Sequence, residues 1–240
     1  MVDHRIKLEG AWNVRELGGY PAGSRRTRRG VFLRGDNVHG LTERDKAELK
    51  RLGLTLEADL RSPMEISKKP SALASEPWLR YVNIPLFDGV QSAISQSDIP
   101  PSLGEMYRSL LNRGQAEFCA LFRLFLENDG LTLFHCTAGK DRTGITAMLL
   151  LELCGVEDDV IIRDYAVTQS YLQSQLEARL AELRAIGLTM PDYLFTSKPE
   201  DMRETLRYLR AQYGDASSYL ASCGLTGEEL ERLRDKLLDE

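Results

Sequence analysis

The stretch LTLFHCTAGKDRTGITAMLLLELC, residues 131–154, decides how this chain is read. Leu131 to Phe134 is an apolar run of strand length, and Ile145 to Cys154 is a longer apolar run that reads as a buried helix. Between them, Cys136 opens a strand-to-helix turn. A glycine-containing turn ahead of a helix aims several backbone N–H groups at one point and so makes an anion site, for phosphate above all. A cysteine at the bottom of that cradle feels the same N–H groups and the helix dipole, so Cys136 is expected to be a thiolate at neutral pH. Thr137, Ala138, Gly139, Lys140 and Asp141 are enough chain to wrap one phosphate before Arg142. The planar fork of Arg142 suits two equatorial oxygens and the charge of a transition state. Thr143 is expected to donate its hydroxyl to the thiolate, and His135 to orient the loop through backbone contacts.

The rest of the chain supports one α/β sheet of mostly parallel strands flanked by helices. Strands are expected at Arg29–Leu33, Leu54–Leu60, Arg80–Pro85 and Leu131–Phe134. Thr42 reads as the N-cap of a helix from Glu43 to Leu52 that stops at Gly53. Capping-box spacings open further helices at Ser62, Ser197 and Thr226, with one or two more between Ser102 and Asn128. Val90 to Pro101 is polar and proline-bearing and reads as a mobile loop. In parallel sheets, ligands collect at the carboxyl ends of strands. Three strands here end in polar chemistry: Asp59-Leu60-Arg61, Asp88 and Cys136.

From Val160 to Leu183 the apolar residues recur at helical spacing, in Ile161, Tyr165, Leu172, Leu176, Leu180 and Leu183. The whole of 1–240 reads as one domain with this helical extension packed on the sheet.

Bulk properties exclude several classes. The chain has 240 residues, 42% hydrophobic and 28% charged, with a net charge of −5, so nothing draws it to nucleic acid. No apolar run reaches membrane-spanning length, and the N-terminus lacks the apolar core of a signal peptide. The four cysteines are scattered and the histidines are three, which argues against zinc, a disulfide framework or a multi-His metal site.

Beyond these readings, the loop H-C-x-x-G-K-x-R-T-G resembles that of the cysteine-dependent tyrosine and phosphoinositide phosphatases. Four further stretches resemble the bacterial branch to which mycobacterial tyrosine phosphatases belong. Gly10-Ala-Trp-Asn-Val-Arg15 with Glu16-Leu-Gly-Gly-Tyr20 is similar to its N-x-R-x-L-G-G-Y signature, and Asp59-Leu-Arg-Ser62 with Glu65 to its D-L-R-[ST]-x-x-E motif. Tyr213-Gly214 through Tyr219-Leu220, then Gly224-Leu225, are similar to its C-terminal helices.

The resemblance implies a phosphocysteine on Cys136, phosphate binding by Arg142, no cofactor, and a phosphorylated protein or phosphoinositide as substrate. It implies that Lys140 meets a second phosphate on an inositol ring, or else compensates Asp141. Three aspartates compete as general acid, in the order Asp88, Asp141, Asp59. Asp141 departs from relatives that carry glycine there, and Asp59 alternatively pairs with Arg61. The helices of about 157–213 are expected to form a lid or else to pack in the core. The protein is expected in the cytoplasm, or exported without a signal peptide. The rival readings are a phosphate-binding module without turnover and, behind it, a sulfurtransferase carrying a persulfide.

Overall fold

The computed structural model describes residues 4–86, 100–185, 187 and 190–239. Its strands are β1 (Arg15–Glu16), β2 (Pro21–Ala22), β3 (Arg25–Arg26), β4 (Phe32–Gly35), β5 (Leu54–Asp59), β6 (Arg80–Asn83) and β7 (Leu131–His135). Its helices are α1 (Glu43–Arg51), α2 (Pro63–Lys68), α3 (Leu103–Arg113), α4 (Gln115–Glu127), α5 (Asp141–Leu153), α6 (Asp158–Ala185), α7 (Pro199–Tyr213), α8 (Ala216–Ser222) and α9 (Gly227–Leu237). A 3-10 turn at Asp192–Phe195 lies between α6 and α7.

Five strands form the central sheet in the order β1-β4-β7-β5-β6, parallel except for β1. All five residues of β7 are buried, as the central position of a sheet covered on both faces requires. The polar ends meet there: Asp59 of β5 and Gly35 of β4 both stand in register with His135. Directly after β7, α5 buries 11 of its 13 residues, which is why it is apolar all round. Phe32, Phe125 and Phe134, the last of them one residue before His135, pack edge-on or tilted against one another in the core.

The expected α/β sheet is found, with local corrections. The strand read at Arg29–Leu33 runs instead over Phe32–Gly35, because Gly30 turns the chain at φ +74° and Arg25–Arg26 pair with Pro21–Ala22 in a hairpin. Thr42 and Asp45 form the capping box of α1, and Gly53 stops it at φ +88°. Ser62 with Glu65, and Thr226 with Glu229, likewise cap α2 and α9. Ser197 does not cap α7: the helix starts one residue later, with Lys198 at the cap and Pro199 in the first turn. Asp88 and most of the Val90–Pro101 loop lie outside the described residues. Helix α7 buries Met202, Leu206 and Leu209 in the main core.

Candidate active site

The loop between β7 and α5 is held from outside by its own carbonyls. The Cys136 carbonyl lies 3.1 Å from His135 Nδ1, and Asn37 N–H donates to the Thr137 carbonyl at 3.0 Å. Asn13 Nδ2 donates to Ala138 O at 2.9 Å, and Arg34 Nη2 to Gly139 O at 2.8 Å. In a trans peptide the N–H opposes the C=O. Carbonyls turned to the scaffold therefore turn the amides of residues 137–140 to the inside of the loop, which is the concave arrangement that binds anions. Gly139 makes this possible: it sits at φ +64°, and a Cβ there would lie 2.4 Å from the Gly35 carbonyl. Cys136 is at the base, 2% exposed, where the parallel strand ends. Helix α5 begins at Asp141, four residues earlier than its apolar run suggests, so its first turn belongs to the loop.

Arg142 is aimed by Glu65. Its Nη1 and Nη2 donate to the two Glu65 oxygens at 2.7 and 2.8 Å, and Nη1 also reaches Leu60 O at 3.3 Å. The same carboxylate accepts from the Thr137 hydroxyl and from Ser62 N–H at 2.8 Å. One glutamate thus caps α2, fixes the arginine fork and ties down the first residue after the cysteine. The sequence offered Glu65 as a capping residue and, by resemblance, as the end of the D-L-R-[ST]-x-x-E motif; its reach to Arg142 left no local signal. Burial by itself would raise the Glu65 carboxyl, but the Arg142 hydrogen bonds and charge outweigh it and hold the group at about 2. The carboxylate therefore stabilises the fold fully above its ordinary value of 4.5, and this contribution is lost as pH falls toward 2. Glu65→Gln should melt below the wild type at pH 7. The gap in Tm should shrink below pH 4.5 and close near pH 2; a gap constant with pH would contradict the assignment.

The other candidates fall in different places. Asp141, with its side chain 26% exposed, accepts from Tyr107 OH at 2.7 Å and pairs with Lys140 Nζ at 3.3 Å. Tyr107 in turn shares a 2.6 Å hydrogen bond with Tyr165 of α6. Asp59 is wholly buried and bound by Arg61 through Nε at 2.8 Å and Nη2 at 2.6 Å, with Tyr81 OH at 3.0 Å. Burial would raise its carboxyl, but the Arg61 hydrogen bonds prevail and lower it, which favours the carboxylate form. As a general acid Asp59 is thus poorly placed; it orders the strand end. Lys140 points inward, 2% exposed, and donates to Leu194 O at 2.8 Å and Thr196 O at 3.0 Å. It ties the 3-10 turn to the loop instead of presenting its ammonium outward.

Thr143 is fully buried and its hydroxyl makes no hydrogen bond among the described residues, so the bond expected to Cys136 is not formed. His135, also fully buried, reaches Glu57 Oε1 at 2.8 Å, and Ser71 donates to the other Glu57 oxygen at 2.9 Å. Burial would lower the imidazole pKa; the Glu57 hydrogen bond and the nearby Asp59 charge raise it instead. Glu57, Asp59 and His135 bring three metal-type donors within 4.8 Å of one another, but each is already engaged in these bonds.

A profile of the Tyrosine phosphatase family matches residues 6–239. A tyrosine-protein phosphatase of Nostoc commune is 35% identical over 223 residues, 86% of this chain and 74% of the relative. The triple specificity protein phosphatase PtpB of Mycobacterium tuberculosis is 25% identical over 275 aligned positions, 97% of this chain and 98% of the relative. The crystal structure of P. aeruginosa TpbA is a looser likeness, at 15% identity and a TM-score of 0.44, over 90% of this chain and 99% of that one. No helix among the described residues is long and apolar enough to cross a membrane.

Proposed function

Since the chain belongs to the tyrosine phosphatase family, we propose that it hydrolyses phosphotyrosine through a phosphocysteine on Cys136. The observation that supports this most is the loop itself: a cysteine at the base of inward-facing amides, with an arginine fork locked by a carboxylate at its edge. The amides and Arg142 hold the three non-bridging oxygens, and Cys136 Sγ attacks phosphorus as the bond to the phenolic oxygen breaks. Asp141 gives its proton to that oxygen. A water then attacks phosphorus, the S–P bond breaks and Asp141 recovers a proton. Asp141 takes this role because it is the carboxylate inside the loop, partly exposed and held by Tyr107.

Asp141→Asn is expected to lower kcat for phenyl phosphate by about 10²–10⁴-fold, and p-nitrophenyl phosphate, whose leaving group needs little protonation, by far less. Asp88→Asn should leave both nearly unchanged; the reverse pattern would move the acid to Asp88.

Phosphoinositides are the weaker substrates in this reading. For Lys140 to meet a second phosphate it must leave Leu194 O, Thr196 O and Asp141. The deciding experiment compares kcat/KM for a phosphotyrosine peptide and a phosphatidylinositol monophosphate, with Cys136→Ser as blank. A ratio favouring the peptide is expected. A ratio favouring the lipid reverses the preference, and turnover of neither by reduced protein promotes a phosphate-binding module. In this reading Asp192–Thr196, whose Leu194 and Thr196 carbonyls Lys140 holds, covers the cradle, and α7 does not.

A further inference from the structure

Two of the three carbonyls farthest round the loop are held by side chains that trace to one residue of α6. The Asp164 carboxylate, its side chain 1% exposed, accepts from Arg15 Nε at 2.8 Å, Arg34 Nη1 at 2.5 Å and Tyr20 OH at 2.9 Å. Arg15 also donates to the Asp164 carbonyl at 2.7 Å and to Thr168 Oγ1 at 3.2 Å. From there two short chains reach the loop. Arg34 bonds Gly139 O directly at 2.8 Å. Arg15 Nη1 bonds Asn13 Oδ1 at 2.5 Å, and Asn13 Nδ2 bonds Ala138 O at 2.9 Å.

Both guanidiniums are buried, at 1% exposure each, and a buried arginine without its anion would relax toward other acceptors or water. Helix α6 is brought close enough by Gly144, where a Cβ would stand 3.2 Å from the Tyr165 ring. Its next residue, Tyr165, is linked through Tyr107 to Asp141.

We propose that Asp164 is a positioning residue for the phosphate cradle. It fixes Arg15 and Arg34, and through them keeps the Ala138 and Gly139 carbonyls outward and the following amides inward. The inference rests on the reading of the loop as a phosphate cradle, and it makes a prediction that charge alone reverses. Two guanidiniums and one carboxylate leave a net positive charge behind the loop. Removing the carboxylate raises that charge, so a purely electrostatic role predicts tighter phosphate binding, whereas a positioning role predicts weaker binding.

The test is calorimetric titration of inorganic phosphate into Cys136→Ser protein with and without Asp164→Asn, alongside near-UV circular dichroism and Tm. The expected result is a native spectrum and phosphate affinity lower by at least about tenfold. A merely structural role would lower Tm and leave the affinity of the folded protein unchanged; unchanged or tighter binding overturns the proposal. Arg34→Lys serves as the second variant, because one ammonium cannot span Asp164 and Gly139 O as the fork does. It should weaken phosphate binding, and the double variant should be no worse than the weaker single. Unchanged binding in Arg34→Lys overturns the proposal even where Asp164→Asn fails to fold. If Cys136→Ser itself does not bind phosphate, the cradle reading fails instead.

Discussion

Cys136→Ser should lower kcat by about 10⁶-fold, the scale seen when a catalytic nucleophile is removed, with Tm and phosphate binding preserved. The side chain is 2% exposed and the substitution keeps its shape nearly unchanged, so the fold has no reason to respond. A serine hydroxyl in the same place is a far poorer nucleophile, since nothing among the described residues stands ready to take its proton. His135 is the nearest histidine in sequence, and its ring is spent on Glu57 and the Cys136 carbonyl. Turnover within about tenfold of the wild type would remove Cys136 from the mechanism.

The second large effect is at Arg142. Arg142→Ala should reduce kcat/KM by about 10³-fold, because the fork that holds the equatorial oxygens is lost. It should also cost stability, on the order of 3–5 kcal/mol, because Glu65 is left as a buried carboxylate without its cation. The two losses are separable. In Arg142→Ala combined with Glu65→Gln, the stray charge is gone, so Tm should recover much of its loss while kcat/KM stays low. If the double variant regained activity, Arg142 would be a packing residue; if Tm did not recover, the Glu65 pair would not be what stabilises this corner.

Much of this was legible in the chain. A strand-length apolar run, a glycine-bearing turn with Cys136 and Arg142, and an apolar helix are local patterns, and they marked a buried strand running into a loop and a buried helix. The N-cap at Thr42 and the capping boxes at Ser62 and Thr226 are equally local, and each is formed. Boundaries were less legible. Thr143-Gly144 has weak helix propensity but is helical, because the buried surroundings of α5 outweigh propensity. At Ser197 the capping spacing was met by chance, since Pro199 and Asp201 begin α7 and the Ser197 amide bonds Gln169.

What could not be read are bonds made across the chain. Glu65 meets Arg142 from 77 residues away, and Asp164 meets Arg15 from 149. Asp164 lies within a helix whose apolar spacing explains its neighbours and not itself. The N-x-R signature offered Asn13 and Arg15 by resemblance alone; the carbonyls they brace became visible only with the sheet assembled. The inward turn of Lys140 was likewise hidden, because its acceptors are backbone carbonyls some 54 and 56 residues onward.

The central claim is the covalent bond between Cys136 and phosphorus. A rapid acid quench during turnover of a phosphotyrosine peptide, followed by proteolysis and mass spectrometry, reads that bond directly. The account predicts a phosphate mass on the peptide bearing Cys136, rising as tyrosine is released and decaying as inorganic phosphate appears. Product formation at full rate with Cys136 unmodified at every quench time would contradict it.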